Sequence, residues 1–236
     1  MNRRHFAAGC GAGLLTLATA FGDAPKEPPL TAQEVLDRMA KAYATCATYR
    51  DTGTVRVSHL SGGVEVSSER PFSTAFVRPD RFRFEFTARP VAGQAANRYV
   101  VWRHGRDVKT SWDLRPGAGK PIDLEDAVSG CKGVSGRASH TVPALLLPKE
   151  IYKSLTALAD LKRLDDARLG RRDCFRLGGV YVLARLSLWI DKESLLLRQM
   201  EERQEFPQDL VVTTATYDPT ADGEVAAKLL EFEPAK

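Results

Sequence analysis

The sequence predicts an α+β fold, mainly β, in which one amphipathic helix lies across an antiparallel sheet. Three observations predict it: a capped helical pattern near the start of the chain, a long series of segments alternating between apolar and polar residues, and short turns between those segments. The 236 residues suffice for one domain and a leader, and 43% hydrophobic with 27% charged residues is ordinary for a globular protein.

The strongest helix signal lies just after a proline-rich spacer. Thr31 and Glu34 have the spacing of a capping box, and Leu30 and Val35 stand where a hydrophobic staple places its pair. Apolar residues then recur at steps of three and four, at Val35, Leu36, Met39, Tyr43 and Cys46. The pattern predicts a helix that ends near Ala47 and packs one face on a sheet.

The segments that follow alternate with a period of two. The clearest is 81–86, where Phe82, Phe84 and Phe86 fall on one face and charged residues fall on the other. One dry face and one wet face indicate an antiparallel sheet that is covered on one side. The same alternation predicts strands at 54–58, 64–66, 72–76, 98–103 and 108–112.

The middle of the chain, residues 116–158, is richer in Gly, Ser and Pro. It predicts an irregular insert with short helical pieces at 124–128 and 149–159. The apolar run 142–148 is bracketed by prolines and is too short to predict a regular helix. Strands resume afterwards, at 167–169, 174–177, 184–191, 195–202, 210–217 and 226–233.

The first residues have the pattern of an export signal. Arg3 and Arg4 precede the apolar, small-residue run Phe6–Ala20, and cleavage is expected after Ala20 or Ala24. The paired arginines followed by Phe indicate the twin-arginine route, and an ordinary secretory signal is the alternative.

The expected organisation is a signal peptide over residues 1–24, a linker over 25–30 and one domain over 31–236. No later stretch approaches the roughly 20 apolar residues of a membrane span, so we expect the mature protein to be periplasmic or secreted. The net charge of +4 is spread along the chain, which gives no reason to expect nucleic acid as a partner.

The titratable residues do not form the pattern of an enzyme. His59, His104 and His140 are not spaced as metal ligands, and no nucleophile-elbow pattern is present. The pairs Asp165-Asp166 and Glu201-Glu202 are neighbours in predicted strands, so their side chains point to opposite faces and are expected at solvated edges. The sequence therefore predicts a non-enzymatic protein with no cofactor and no metal.

Three cysteines remain after signal cleavage. An oxidising compartment favours one disulfide and one free thiol, and three pairings can satisfy that arithmetic. Cys46 falls on the apolar stripe of the first helix, where a thiol behaves as a small hydrophobe. A disulfide between Cys131 and Cys174 is therefore expected.

The order of elements, together with several local strings, resembles the LolA/LolB lipoprotein-carrier superfamily over roughly residues 31–234. The matching strings are Tyr49–Gly53, Phe76–Phe84, Val101–Val108, Leu188–Arg198 and Leu230–Pro234. The resemblance implies an open antiparallel half-barrel of about 10–11 strands, with an N-terminal helix and short helices that form a lid or plug. It also implies that acyl chains are held in the cavity.

Two sets of residues follow from the resemblance. The arginine that precedes the proline of a β-turn, implicated in contacts with the lid, matches Arg78, and a simple turn is the alternative. The face expected to bind an acyl chain, or otherwise to serve only as core beneath the helix, comprises Phe82, Phe84, Phe86, Trp112, Leu186, Leu188 and Ile190.

The expected function is therefore binding of a lipid or lipoprotein acyl chain, since an apolar cavity favours each buried methylene by about 0.8 kcal/mol. The alternative is a secreted protein-interaction or envelope-sensor module on the same fold, with an envelope protein as partner and no lipid cargo.

Overall fold

The computed structural model describes residues 29–88, 96–115, 121–152, 155–181 and 183–234. The predicted signal peptide lies outside the described residues. The helices are α1 (Ala32–Thr45), α2 (Leu124–Ser129) and α3 (Ala138–Leu146). The strands are β1 (Thr48–Ser61), β2 (Val64–Val77), β3 (Arg81–Ala88), β4 (Asn97–His104), β5 (Asp107–Trp112), β6 (Ala159–Leu169), β7 (Arg172–Tyr181), β8 (Ala184–Asp191), β9 (Leu197–Glu205), β10 (Asp209–Tyr217) and β11 (Thr220–Ala221).

The strands form one open antiparallel sheet, in the order β5-β4-β3-β2-β1-β10-β9-β8-β7-β6, with the short β11 paired to β1. Each half is a meander, and the halves meet where β1 pairs with β10. The sheet does not close, because β5 and β6 are edges. The connection between those edges carries α2 and α3, and these helices join α1 in a single hydrophobic core against one face of the sheet. The predicted half-barrel architecture is confirmed.

The first helix forms as its sequence predicts. Thr31 Oγ1 accepts a hydrogen bond from the Glu34 amide, and the Glu34 carboxylate accepts one from the Thr31 amide at 2.8 Å. The apolar stripe is buried, and Tyr43 Oη accepts a hydrogen bond from the Leu197 amide at 3.0 Å, which fixes α1 to the start of β9. The helix ends at Thr45, two residues before the predicted end.

The insert differs from its prediction in two places. The apolar run 142–148 lies mostly inside α3, which accommodates Pro143 in its interior. All nine residues of α3 are buried, so the helix is apolar on every side and shows none of the periodicity that marks a surface helix. Among the described residues of 149–159, where a helix was predicted, the chain forms the single 3-10 turn Leu155–Ala157. The helix predicted at 124–128 is α2.

The strand predicted at 226–233 is wrong. Residues Ala227–Leu230 form a 3-10 turn, and the chain then crosses the face of the sheet opposite the helices. Trp102 Nε1 donates a hydrogen bond to the Leu230 carbonyl at 2.7 Å, and the rings of Trp102 and Phe232 lie 5.9 Å apart. A segment of alternating apolar residues can bury them by packing on the face of a sheet as well as by pairing with its strands.

The predicted disulfide is also wrong. Cys46, Cys131 and Cys174 are all free and buried. Cys131 follows α2 and its thiol contacts the Val128 carbonyl at 3.4 Å, while Cys174 lies on β7 and its thiol contacts the Arg172 carbonyl at 3.8 Å. Burial raises the pKa of all three thiols, and that of Cys131 to about 12. Each thiol is packed as a small apolar group with a local backbone partner.

Candidate binding site on the inner face of the sheet

The face of the sheet that carries the helices, here called the inner face, contains all seven residues predicted to bind an acyl chain. Strand register places the three Phe of β3 opposite Phe76, Thr74 and Phe72 of β2. The three Phe of β3 are buried, as are Leu186, Leu188 and Ile190 of β8. Trp112 is half-buried against the same cluster. The structure therefore brings the seven together, beneath the protein's own helices.

An aromatic row crosses the inner face from β10 to β5. Ring centroids are 5.3 Å apart between Tyr217 and Phe72, 5.9 Å between Phe86 and Tyr99, and 5.7 Å between Tyr99 and Trp112. Tyr217 and Phe72 meet across β1 because Gly53 lies between them, where a Cβ would stand 2.3 Å from the Phe72 ring. Glycine is required at position 53 because the Phe72 ring lies too close to leave room for a Cβ.

Helix α3 is held at its C-terminal end by Arg78. The guanidinium donates hydrogen bonds to the carbonyls of Tyr43 and Cys46 at the end of α1, at 3.2 and 3.0 Å, and to the Leu146 carbonyl at 3.3 Å. It also lies over the Phe76 ring, 5.0 Å from its centroid. Arg78 thus joins β2 to the ends of two helices.

The N-terminal end of α3 is held by an ion pair that the sequence analysis missed. Arg137 Nη1 lies 3.3 Å from Glu202 Oε2, and the guanidinium lies 4.3 Å from the Tyr181 ring centroid. Glu202 is buried on the inner face, so its expected place at a solvated edge is wrong. The signal was present: Glu202 has the same strand parity as the buried Met200.

The turn before α3 is fitted closely to the sheet. Gly136 has a φ of +57°, and a Cβ there would lie 2.5 Å from Val55 Cγ1. A side chain at this position would push α3 away from β1.

A polar cluster lies among the buried aromatic side chains at the centre of the inner face. Tyr49 Oη donates a hydrogen bond to Asp51 Oδ2 at 2.7 Å, and the Tyr43 and Tyr49 ring centroids lie 5.4 Å apart. Burial raises the pKa of the Asp51 carboxyl to about 6, against the opposing effect of the Tyr49 hydrogen bond.

The inner face extends beyond the helices at one end of the sheet, here called the open end. Val64 and Val66 of β2 have the same strand parity as the buried Phe72, yet 65% and 67% of their surfaces are exposed. Val57 and Val211, on β1 and β10, are half-buried beside them. The inner surface therefore continues past the first residue of α3 into solvent. There it carries these valines beside His59, whose Nε2 lies 3.8 Å from Asp209 Oδ1 on the same face.

A cleft of about 420 Å³ opens on the β7–β9 side of this end. Leu183 and Phe206, on the turns after β7 and β9, line it and are 94% and 53% exposed. Arg137, Tyr181 and Glu202 line it too. A second cleft, of about 190 Å³, has other lining residues, among them Arg50, Thr52, Ser73 and Arg83. None of the seven predicted residues lines either cleft.

Among the described residues, the histidine and acidic side chains do not form a single cluster. Within the described residues, no three His, Cys, Asp or Glu side chains are arranged to hold a metal ion. His140 on α3 contacts Glu125 of α2 at 3.3 Å, and burial lowers the pKa of its imidazole. Over the same residues, no helix combines the length and apolar character needed to span a bilayer.

Comparisons with known proteins concern the fold. No family model and no curated protein matches the chain. The structure is similar to a LolA superfamily protein from Nitrosomonas europaea (12% identity, 86% of this chain, 99% of that chain, TM-score 0.32). It is similar to a DUF1329 family protein from Desulfovibrio piger (12% identity, 85% and 95%, TM-score 0.37). It is also similar to the MucA/MucB complex of Pseudomonas aeruginosa (14% identity, 86%, TM-score 0.46), where it spans 61% of the matched chain. The first of these carries the name of the superfamily that the sequence resembles.

Proposed function

We propose that this protein is an exported, non-enzymatic binding protein that takes the acyl chain of a lipid or lipoprotein onto the inner face of its open sheet. One observation carries the proposal: the inner face continues past the helices, and there Val64 and Val66 expose their apolar side chains, whereas Phe72 and Phe76 of the same strand face are buried. An apolar surface of this kind inside a curved sheet is suited to an apolar ligand.

The energetics favour a linear chain. Each buried methylene contributes about 0.8 kcal/mol, so eight of them contribute about 6 kcal/mol before the cost of association. The adjoining cleft of about 420 Å³ is within the usual size of small-molecule sites.

The helix α3 is the part that limits access to the remainder of the inner face. Arg78 holds its C-terminal end and the Arg137–Glu202 pair holds its N-terminal end. Displacement of α3, together with α1 and α2 that cover the same face, would extend the site to the seven predicted residues, Phe82, Phe84, Phe86, Trp112, Leu186, Leu188 and Ile190. Arg78 would then act as the lid contact that the resemblance implies. The predicted leader places this activity in the periplasm or outside the cell.

The proposal is tested by a chain-length series. Binding of saturated fatty acids from 8 to 14 carbons, followed by isothermal titration calorimetry, should tighten by about fourfold per methylene until the site is filled. Val66→Ser should weaken the longer ligands, whereas Leu60→Ser should not, because Leu60 is exposed on the opposite face of the same hairpin. Absence of binding at every chain length would reject the proposal.

A second candidate function is a protein-interaction module. β6 is an edge of the sheet with mostly exposed residues, and an extended peptide can add to such an edge. The candidate predicts that Leu161→Pro, in β6, abolishes capture of an envelope protein partner and that no fatty acid binds.

A further inference from the structure

Arg70 lies on the inner face of β2 at the boundary between covered and open surface. It is opposite Val55 in the register of β1 and β2, and it is two residues from Phe72 of the aromatic row. In the other direction the same face continues through Ser68 to the exposed Val66. A ligand on the open end of the inner face would therefore have Arg70 at its inner limit.

The guanidinium of Arg70 lacks a partner within the part of the chain that the structure describes. It has no ion pair, hydrogen bond or ring contact there, although the side chain is half-buried. Other arginines on this face have partners: Arg137 pairs with Glu202 and Arg78 binds three carbonyls. Arg103 pairs with Glu150, and Arg163 pairs with Asp166. Burial lowers the pKa of Arg70, as expected for a cation with no counter-charge.

A half-buried cation without an anion is unfavourable for folding and favourable for binding an anion. We infer that Arg70 binds the carboxylate of a long-chain fatty acid whose tail lies outward over Val57 and Val66. The planar guanidinium can donate two parallel hydrogen bonds to a carboxylate, and the exposed Val64 and Val66, with the half-buried Val57 and Val211, contact the tail. This inference rests on the proposed function and specifies its ligand.

The charged groups near Arg70 are compatible with a ligand that carries one negative charge. Acids on the inner face have partners of their own: Glu202 pairs with Arg137, Asp51 accepts a hydrogen bond from Tyr49, and Asp209 lies 3.8 Å from His59. The cross-strand neighbour of Arg70, Val55, is apolar and fully buried, so the guanidinium meets a dry surface on that side. A ligand carboxylate there would meet a cation that no acid among the described residues neutralises.

The test compares dodecanoate with 1-dodecanol, which has the same chain and no charge. Affinities for the full chain and its variants are measured by displacement of a fluorescent fatty acid. Arg70→Gln should weaken dodecanoate by about tenfold or more and leave dodecanol within about twofold. Arg70→Lys should retain part of the preference for dodecanoate. Arg56→Gln, at an exposed position on the opposite face of β1, should change neither affinity.

The outcomes separate this inference from the proposed function. If wild type and Arg70→Gln bind the acid and the alcohol equally well, the carboxylate contact is overturned and acyl binding stands. If Arg70→Gln weakens both ligands to the same extent, its role is structural and the inference is also overturned. If neither ligand binds to wild type, the proposed function fails and this inference fails with it.

Discussion

The guanidinium of Arg78 donates a hydrogen bond to the carbonyl oxygen of Leu146, the last residue of α3, over 3.3 Å. Because the same group binds the end of α1, one side chain directly after β2 fixes the C-terminal ends of two helices over the inner face. The last carbonyls of a helix lack intrahelical hydrogen-bond donors, and the C-terminal end of the helix dipole is negative. A cation at this position is favourable for both reasons.

Loss of this cation should loosen α3. Arg78→Ala leaves partly buried carbonyls without donors and should lower the free energy of unfolding by about 2 kcal/mol. Urea denaturation measures this loss, and stopped-flow mixing with a fluorescent fatty acid should show faster association. Arg81→Ala, two residues after Pro79, is the matched control and should change stability by less than about 0.5 kcal/mol. An unchanged midpoint for Arg78→Ala would contradict the clamp.

Gly136 provides a test of how closely α3 is seated. Gly136→Ala places a methyl group against Val55 at a positive φ, and should destabilise the fold by about 1–3 kcal/mol. Gly133→Ala is the control, because a Cβ at Gly133 meets nothing within 4 Å. Thermal unfolding of the two variants should differ clearly. Equal melting temperatures would show that α3 does not press on β1.

The sequence was sufficient where local chemistry decides structure. The capping box of Thr31 and the alternation of the β3 Phe residues predicted α1 and the dry inner face, and the resemblance to the LolA/LolB superfamily implied the open sheet. It was insufficient where packing decides. A helix buried on every side carries no periodicity, so α3 around Pro143 was missed, and the alternation ending at Phe232 describes a segment laid on the sheet. The burial of Glu202 follows from its strand parity with Met200, but its ion partner Arg137 lies 65 residues away, and no local pattern indicates that partner.

The Asp51 carboxyl should make stability depend on pH. Its pKa in the folded protein is about 6, above the unfolded value near 3.8, so the folded state holds the proton more tightly. Stability from this group is present below the unfolded pKa and is lost as the pH rises through 6, by about 3 kcal/mol.

Asp51→Asn removes that dependence. The variant should gain about 2.5 kcal/mol relative to wild type between pH 4 and pH 8, measured by urea denaturation at both values. Glu65→Gln, at an exposed position on β2, should show the same dependence of the free energy of unfolding on pH as wild type. A constant difference between Asp51→Asn and wild type across this range would show that the carboxyl titrates normally.

The three buried thiols predict insensitivity to reductants. Dithiothreitol should leave the urea midpoint unchanged, whereas rupture of a structural disulfide would cost about 2–4 kcal/mol. Alkylation of the unfolded, unreduced protein followed by peptide mass spectrometry should find the modifying group on both Cys131 and Cys174. A linked peptide containing both residues would contradict the structure.

The central claim, that an acyl chain lies on the uncovered inner face at the open end, is tested most directly by photolabelling. A fatty acid with a diazirine near its methyl end is irradiated with the protein, and labelled residues are mapped by mass spectrometry. The account predicts labels at Val64, Val66 and Val211, and their loss when unlabelled dodecanoate competes. Labels confined to the opposite face, at Leu60 or around Trp102, or labels that dodecanoate does not displace, would contradict it.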